Sequence, residues 1–253
     1  MKKSKYSKEL AVAKLAARGA GKLLIRSFGK ESKRYAKGKY DFALKADRDA
    51  EKIIIRIIKR HFPSHAILAE ESGEQGDSEY KWLIDPLDGT HNYASGVPVF
   101  GTSVALQHKS EVVVGAIYLP LSNELYYAER GRGAFLNGKK IRAARGWLIN
   151  VGGTHRFNSS FVARGIINIT RKYHPRLRFI GSAVIAAAYV ASGRVAAYVT
   201  FHVHAWDIAA GALIVEEAGG KATSIHGKKW SPYQKHYILS NAKIHKEILR
   251  TVK

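Results

Sequence analysis

The 253-residue chain carries 42 lysines and arginines against 20 aspartates and glutamates, a formal net charge of +22, and 46% of it is hydrophobic. That apolar content excludes a disordered chain, the length holds one large or two moderate domains, and the absence of cysteine excludes a disulfide framework, a thiolate nucleophile and a zinc ribbon. No apolar run reaches the about 18 residues of a membrane helix and the Lys-rich start lacks a signal peptide's apolar block, so a soluble cytoplasmic protein without membrane partners is expected.

Residues 7–28 place Leu10, Ala13, Leu15, Ala16, Leu23 and Leu24 on a helical stripe that closes near Gly29. Residues 30–41 lose apolar periodicity and concentrate Lys, Arg and Gly, which predicts a surface loop, either simply solvated or a basic flap over an anionic substrate. A second helix is expected from Ala46-Asp47 through Ile53, Ile54, Ile57 and Ile58 to Phe62-Pro63, with Asp47 as its N-cap or first-turn acid. Ala66-Ile67-Leu68-Ala69 reads as a short buried strand ending in Glu70-Glu71-Ser72-Gly73. Trp82-Leu83-Ile84 is another; it delivers Asp85, Pro86 breaks it, and Asp88-Gly89-Thr90 turns into a helix.

Residues 100–107, 111–119 and 124–129 alternate as strands of an antiparallel meander, with turns at Gly131-Arg132-Gly133 and Asn137-Gly138. Near Arg145-Gly146 the pattern changes to alternating strands (147–151, 177–180, 195–201, 221–225, 237–240) and helices (160–173, 182–191, 206–218, 242–251). Two lobes follow: an α+β lobe over 1–145 and an α/β lobe over 146–253.

The acids are unevenly placed. Ten of the 20 lie from Asp47 to Asp88, against six bases there, and beyond Asp88 the sole aspartate is Asp207. Asp-Pro-x-Asp-Gly is compatible with ordinary turn chemistry. Yet Glu70, Asp85, Asp88 and Asp207 each fall near a strand end or helix start, where α/β proteins build sites. Hard oxygen donors of this kind suit Mg²⁺ or Mn²⁺, and a cation would resolve the repulsion among such carboxylates. Glu70 with Thr90 could orient an attacking water, and amides near Gly89-Thr90 would add an anion contact.

Glu70-Glu71-Ser72, Asp85-Pro86-Leu87-Asp88-Gly89-Thr90-His91-Asn92-Tyr93 and Trp206-Asp207-Ile208-Ala209-Ala210-Gly211, in this order, resemble the inositol monophosphatase superfamily. Ala46-Asp47, Gly181-Ser182-Ala183 and Glu216-Glu217-Ala218-Gly219-Gly220 extend the resemblance over nearly the whole chain. The resemblance implies a layered αβαβα sandwich. It implies a phosphatase of small sugar or polyol phosphates that uses two or three Mg²⁺ ions, is inhibited by Li⁺ and forms a homodimer. Glu70, Asp85 and the Leu87 carbonyl would bind one ion, and Asp85, Asp88 and Asp207 a second; Glu70 would serve a third through water. Asp47 with Thr90 would position the nucleophilic water. Substrate contacts would come from Asp88, Gly89, Thr90, Gly181, Ser182, Ala183, Thr200 and Asp207.

The stretch from Asn92 to Pro98 is closer to the archaeal-type branch with inositol monophosphatase and fructose-1,6-bisphosphatase activity than to nucleotide-bisphosphate phosphatases. Thr200 stands where animal enzymes place an acidic contact to inositol, and His91 where many relatives have a small residue, which argues against inositol-only specificity. A 3′(2′),5′-bisphosphate nucleotidase-like phosphatase and a non-specific RNA-binding protein are the alternatives, the latter from net charge. No helix-turn-helix, RNA-recognition or zinc-finger signature supports specific nucleic-acid binding. His202 and His204 alternate on one strand but have no cysteine or third histidine beside them, so zinc is not expected. Trp206 reads as a core aromatic holding the helix of Asp207.

Overall fold

The computed structural model describes residues 4–30, 34–38, 41–144, 146–153, 160–174 and 176–252. Its first half runs α1 (Ser7–Ser27), β1 (Arg34–Gly38), β2 (Asp41–Leu44), α2 (Lys45–His61), β3 (Ala66–Ala69), β4 (Gly73–Gln75), β5 (Tyr80–Asp88), α3 (Thr90–Ala94), β6 (Gly101–His108), β7 (Glu111–Leu119), β8 (Glu124–Glu129), β9 (Ala134–Leu136) and β10 (Lys139–Lys140). The second runs β11 (Leu148–Gly152), α4 (Ser160–Tyr173), β12 (Leu177–Arg178), α5 (Ala183–Ala191), β13 (Val195–Thr200), α6 (Ala205–Glu217), β14 (Lys221–Ser224), β15 (Tyr237–Ser240) and α7 (His245–Thr251). Among the described residues no helix is long and apolar enough to cross a membrane.

Three apolar clusters stack these elements into five layers. The first seals α1 and α2 onto an eight-stranded sheet of order β10-β9-β8-β7-β6-β5-β3-β4, through residues such as Leu24, Ile54, Ile58, Trp82 and Val104. The second places α5 and α6 between that sheet and a five-stranded one of order β12-β11-β13-β15-β14, joining Leu83 and Ile117 to Ala187, Ile208 and Leu213 and on to Tyr198 and Leu239. The third covers the far face with α4 and α7 through Val162, Ile169, Val199 and Ile248. The result is the expected αβαβα sandwich. Between β10 and β11 the chain changes sheet, while the central core is shared by residues from both sides.

Small side chains let the layers approach. The buried face of α1 is mainly alanine, with Gly21 against β7, where a Cβ would lie 2.4 Å from Tyr118 Cδ1. Leu15, expected on the buried stripe, is instead 54% exposed, because the face the sheet accepts is the smaller one.

Two expectations need correction. Residues 34–38, within the predicted loop of 30–41, and 41–44, which begin at its end, pair as antiparallel strands. Its support is cation–π contact instead of apolar alternation: the Arg34 guanidinium lies over Phe42 at 4.8 Å and that of Arg48 over Tyr35 at 3.9 Å. Pro86 does not end its strand either. β5 continues to Asp88, and its pairing with β6 slips from Asp85↔Ser103 to Asp88↔Gly101, so Pro86 lies in a bulge where its missing N–H breaks no ladder bond. The Pro86 carbonyl there accepts a hydrogen bond from Thr102 Oγ1 at 3.1 Å.

Candidate active site

The strand pairing explains why two acids meet. β3 and β5 run parallel with Ala69 opposite Ile84, and the Glu70 amide donates to the Ile84 carbonyl at 3.2 Å, so Glu70, just past β3, and Asp85, within β5, come side by side. Both stand where the parallel pairing ends on the carboxyl side, the side at which open α/β sheets bind ligands. The bulge then carries the chain on to Asp88, and the Asp85 carboxylate folds back to accept the Leu87 amide at 3.1 Å.

Gly89 turns the chain into α3 with φ of 92°, and a Cβ there would come 2.8 Å from the Val99 carbonyl oxygen, so only glycine fits. The Thr90 hydroxyl lies 3.2 Å from Asp47 Oδ1 and 3.0 Å from the Leu87 carbonyl. Asp47 is fully buried; its other oxygen accepts the Leu44 amide at 2.6 Å and so caps the first turn of α2. Asp47 therefore engages both the α2 terminus and Thr90, one oxygen each.

Asp88 accepts the Ser182 hydroxyl and the Val184 amide, the latter at 2.9 Å, while Ser182 Oγ also caps α5 by accepting the Ile185 amide at 3.1 Å. Asn92 ties the same region together by donating to the Val99 and Ile180 carbonyls, each at 3.0 Å. Asp207 occupies the first turn of α6 and accepts the His204 amide at 2.7 Å. The helix is held to the large sheet by Ser103 Oγ, which donates to the Trp206 carbonyl at 3.1 Å.

The acids act on one another electrostatically. Burial first, then Glu70, Asp88 and Asp207, drives the Asp85 carboxyl well above the usual carboxylate range. Burial, then Asp88 and Glu70, does the same to Asp207. Burial pushes Asp88 up to about 6, with Ser182 and the amides of Val184 and Ala183 opposing the rise. A set of hard oxygen donors that raise one another's pKa is chemistry suited to a divalent cation such as Mg²⁺. Among the described residues no three acidic or histidine side chains already close around one point, so the carboxylates would have to turn toward a bound ion.

Beside Asp88 and Asp207 opens a cleft of about 430 Å³ lined also by Asn150, Phe179, Ser182, Tyr198 and His202. Gly181 and Ala183 line it too. Thr200 does not: it is fully buried on β13 in register with Gly152 and Tyr237, so a Thr200 substrate contact is not among those this geometry offers. His202 and His204 face each other edge-on at 5.7 Å, and His204 stacks on Trp206 at 4.8 Å, an aromatic arrangement instead of a metal pair. Trp206 is half-buried on that stack and not the core aromatic expected. Phe42 of the hairpin meets the His91 ring at 4.7 Å, which sets β2 beside Thr90.

Sequence reasoning missed Glu51. It is 3% exposed, one turn beyond Asp47 on α2, and accepts the Glu71 amide at 2.8 Å, fixing the turn that presents Glu70. A charged residue on the apolar face of an isoleucine-rich helix was the available signal. Asn150, Phe179 and Tyr198 gave none, and His202 stood out only beside His204, since it is the pairing of β11 with β12 and β13 that brings these residues to one cleft.

Comparison with known proteins agrees. The profile of the Inositol monophosphatase family matches residues 5–253. A fructose-1,6-bisphosphatase/inositol-1-monophosphatase of Thermotoga maritima is 40% identical over 242 residues, 93% of this chain and 92% of that protein. Nus factor SuhB of Escherichia coli is 36% identical over 256 residues, 96% of this chain and 95% of that one. The solved structure of the extragenic suppressor protein suhB from Bartonella henselae aligns with a TM-score of 0.92 at 35% identity, covering 98% of this chain and 99% of that one. That of the Thermotoga maritima inositol monophosphatase aligns at 0.86 and 36%, covering 97% and 96%. The chain belongs to the inositol monophosphatase family and is an enzyme of phosphatase type.

Proposed function

From membership of this phosphatase family, we propose that the chain hydrolyses phosphomonoesters of small sugars or polyols, inositol 1-phosphate and fructose 1,6-bisphosphate among them, with Mg²⁺, or Mn²⁺ in its place. The observation that carries the reading is the convergence of Glu70, Asp85, Asp88 and Asp207, where burial first and the neighbouring carboxylates second raise the pKa of Asp85, Asp88 and Asp207. Those four side chains and the Leu87 carbonyl would hold two or three ions. When bound, such a cation supplies positive charge to phosphate oxygens and lowers the pKa of water.

The chain's own groups do the positioning. The one Thr90 hydroxyl proton is directed at Asp47 Oδ1 and the Leu87 carbonyl, which leaves the Thr90 oxygen with lone pairs to accept a hydrogen bond from the attacking water. The amides of Gly89 and Thr90 open α3 toward the same place and would contact phosphate. Ser182 and the Val184 amide hold Asp88 in its rotamer, so that it faces the cleft and not the core. The opposite wall carries Asn150, Phe179, Tyr198 and His202, neutral or weakly basic groups that suit a hydroxylated alcohol better than a cationic one.

The test is phosphate release from inositol 1-phosphate, fructose 1,6-bisphosphate, glycerol phosphate and adenosine 3′,5′-bisphosphate, with and without Mg²⁺. Preference for the last would replace this reading with a nucleotidase, and no release from any would overturn it. The family resemblance supports a cytoplasmic homodimer inhibited by Li⁺; size-exclusion chromatography and a LiCl titration check the assembly and the inhibition.

A further inference from the structure

The five-stranded sheet has a second lined surface, at the end away from the catalytic cleft. β11 and β13 run parallel from Leu148 and Val195 to Gly152 and Thr200. At about 3.3 Å per residue that puts roughly 15 Å between the two ends. At the Leu148 end, one hollow of about 570 Å³ is lined by Lys140, Arg142 and Glu217, and another of about 460 Å³ by Trp147, Arg176 and Glu247. Asn241 and Lys243 line both, so the two form one groove.

Its shape begins at Gly146, where the backbone passes so close to β13 that a Cβ would lie 2.3 Å from the Ala196 nitrogen. The next residue is turned outward. Trp147 is 72% exposed, the most exposed of the large apolar side chains among the described residues, with the Arg176 guanidinium 5.4 Å over its ring. An indole held in water at the rim of a groove, beside a cation, is a ready stacking surface for a flat base.

Charge identifies the occupant further. Glu217 is engaged by the Gly131 and Gly133 amides at 2.8 and 2.7 Å, and Glu247 by Lys172 and the Tyr173 hydroxyl, both at 3.1 Å. Lys140, Arg142, Arg176 and Lys243 make no ion pair among the described residues, and their charge is left for a ligand. Scattered over a hundred residues of sequence, these cations are gathered by the fold. They sit in the half of the chain where residues 130–253 hold 21 lysines and arginines against four acids.

We propose that this groove binds single-stranded RNA without sequence preference, with Trp147 stacking on an unpaired base and Lys140, Arg142, Arg176 and Lys243 taking the phosphates. Each hollow falls within the roughly 300–1,000 Å³ of small-ligand sites, so the pair accommodates successive nucleotides instead of one. A duplex keeps its bases stacked inside and offers the indole no face. An acidic polypeptide would satisfy the cations and leave the indole unused.

The test is fluorescence anisotropy of a labelled uridine 12-mer with the full chain in EDTA at low salt, repeated with Trp147→Ala, Arg142→Ala and Lys243→Ala, and with inorganic polyphosphate as a competitor without bases. Trp147→Ala should weaken oligouridine binding about tenfold and leave competition by polyphosphate unchanged. Arg142→Ala and Lys243→Ala should weaken both ligands and each lower the slope of log affinity against log salt by about 0.7. All three variants should melt and release phosphate as the wild type does. Absence of oligouridine binding, an unchanged affinity in Trp147→Ala, or equal loss of both ligands in Trp147→Ala would overturn the proposal. So would uridine monophosphate competing as well as the 12-mer, which would assign the groove to a free nucleotide, or polyglutamate binding more tightly than oligouridine, which would assign it to an acidic protein.

Discussion

Removing one carboxylate from the site should stabilise the metal-free chain while abolishing its turnover. The Asp88 pKa of about 6, against 3.8 for an ordinary aspartate, means that its charge is opposed, by burial above all, more strongly than Ser182 and the α5 amides support it. At about 1.4 kcal/mol per pKa unit, that is roughly 3 kcal/mol of destabilisation, and because Asp88 is partly exposed, solvent screening makes this the upper end. Below pH 3.8 the carboxyl is protonated in both states and the folded chain bears no such cost. Between 3.8 and 6 the unfolded chain releases the proton first, so stability falls as pH rises, and above 6 the full cost remains. Asp88→Asn keeps an oxygen for the Ser182 hydroxyl and Val184 amide but removes the charge. In EDTA at pH 7.5 its urea midpoint should therefore exceed that of the wild type by up to about 3 kcal/mol of unfolding free energy, with the difference vanishing near pH 4. Excess Mg²⁺ should reverse the order, because only the wild type gains ligand stabilisation. A variant no more stable than the wild type in EDTA at pH 7.5, or a gap that persists at pH 4, would refute the reasoning.

Thr90→Ala should lower kcat about 100-fold or more with little change in KM, since the water loses its orienting oxygen, and Thr90→Ser should restore most of the rate; steady-state phosphate release measures both. Glu51→Ala leaves the Glu71 amide without its acceptor, so metal affinity read by activity against Mg²⁺ concentration should weaken about 10–100-fold, whereas Glu51→Gln should stay near the wild type. His245, 2% exposed between the hydroxyls of Thr223 and Ser240, is pushed by burial down to about 4. A depressed histidine favours the folded state above pH 6.5, and that advantage is lost as pH falls from 6.5 to 4, to about 3 kcal/mol. The wild type minus His245→Gln difference in unfolding free energy should shrink over that window, and a flat difference would show that His245 does not titrate there.

How much of this was legible in the sequence depends on the range of the interaction concerned. Asp85, Asp88 and Asp207 were readable because a carboxylate at a strand end or a helix start leaves a local signature in neighbouring Pro, Gly and Trp. The five layers entered with the family resemblance, since periodicity alone reports that a face is apolar and not which sheet it covers. The hairpin of residues 34–44 was invisible because arginine–aromatic stacking holds it, and alternation does not register that. Pro86 suggested a strand end, as proline does in general; the bulge that accommodates it depends on pairing with Gly101 and Ser103, some 15 residues on. Glu51 and Thr200 required burial to interpret: one is an acid drawn inside to hold a turn, the other a hydroxyl sealed beneath the cleft it was expected to line.

The remaining question is why a fold tolerates mutually repelling carboxylates, and magnitudes answer it. Asp85 and Asp88 come from the large sheet, while Asp207 arrives on α6, a helix of the central layer. Holding α6 there buries Ile208, Leu213, Ile214 and Val215 completely. At about 1.5–3 kcal/mol for each such side chain, the four outweigh the few kcal/mol of repulsion that α6 brings with Asp207. The alanines and Gly211 on the same helix matter for placement, since a Cβ on Gly211 would stand 2.4 Å from that of Ala187 and push α6 away from α5. Asp207 is thus positioned by packing strong enough to override its own electrostatics. The consequence is testable at a distance from the site: Leu213→Ala, which is not one of the carboxylates, should destabilise the metal-free chain by about 2–5 kcal/mol, and the loss should be larger in excess Mg²⁺, because an α6 held less firmly binds the ion less tightly and gains less from it. Equal loss with and without Mg²⁺ would mean that core and site are energetically independent.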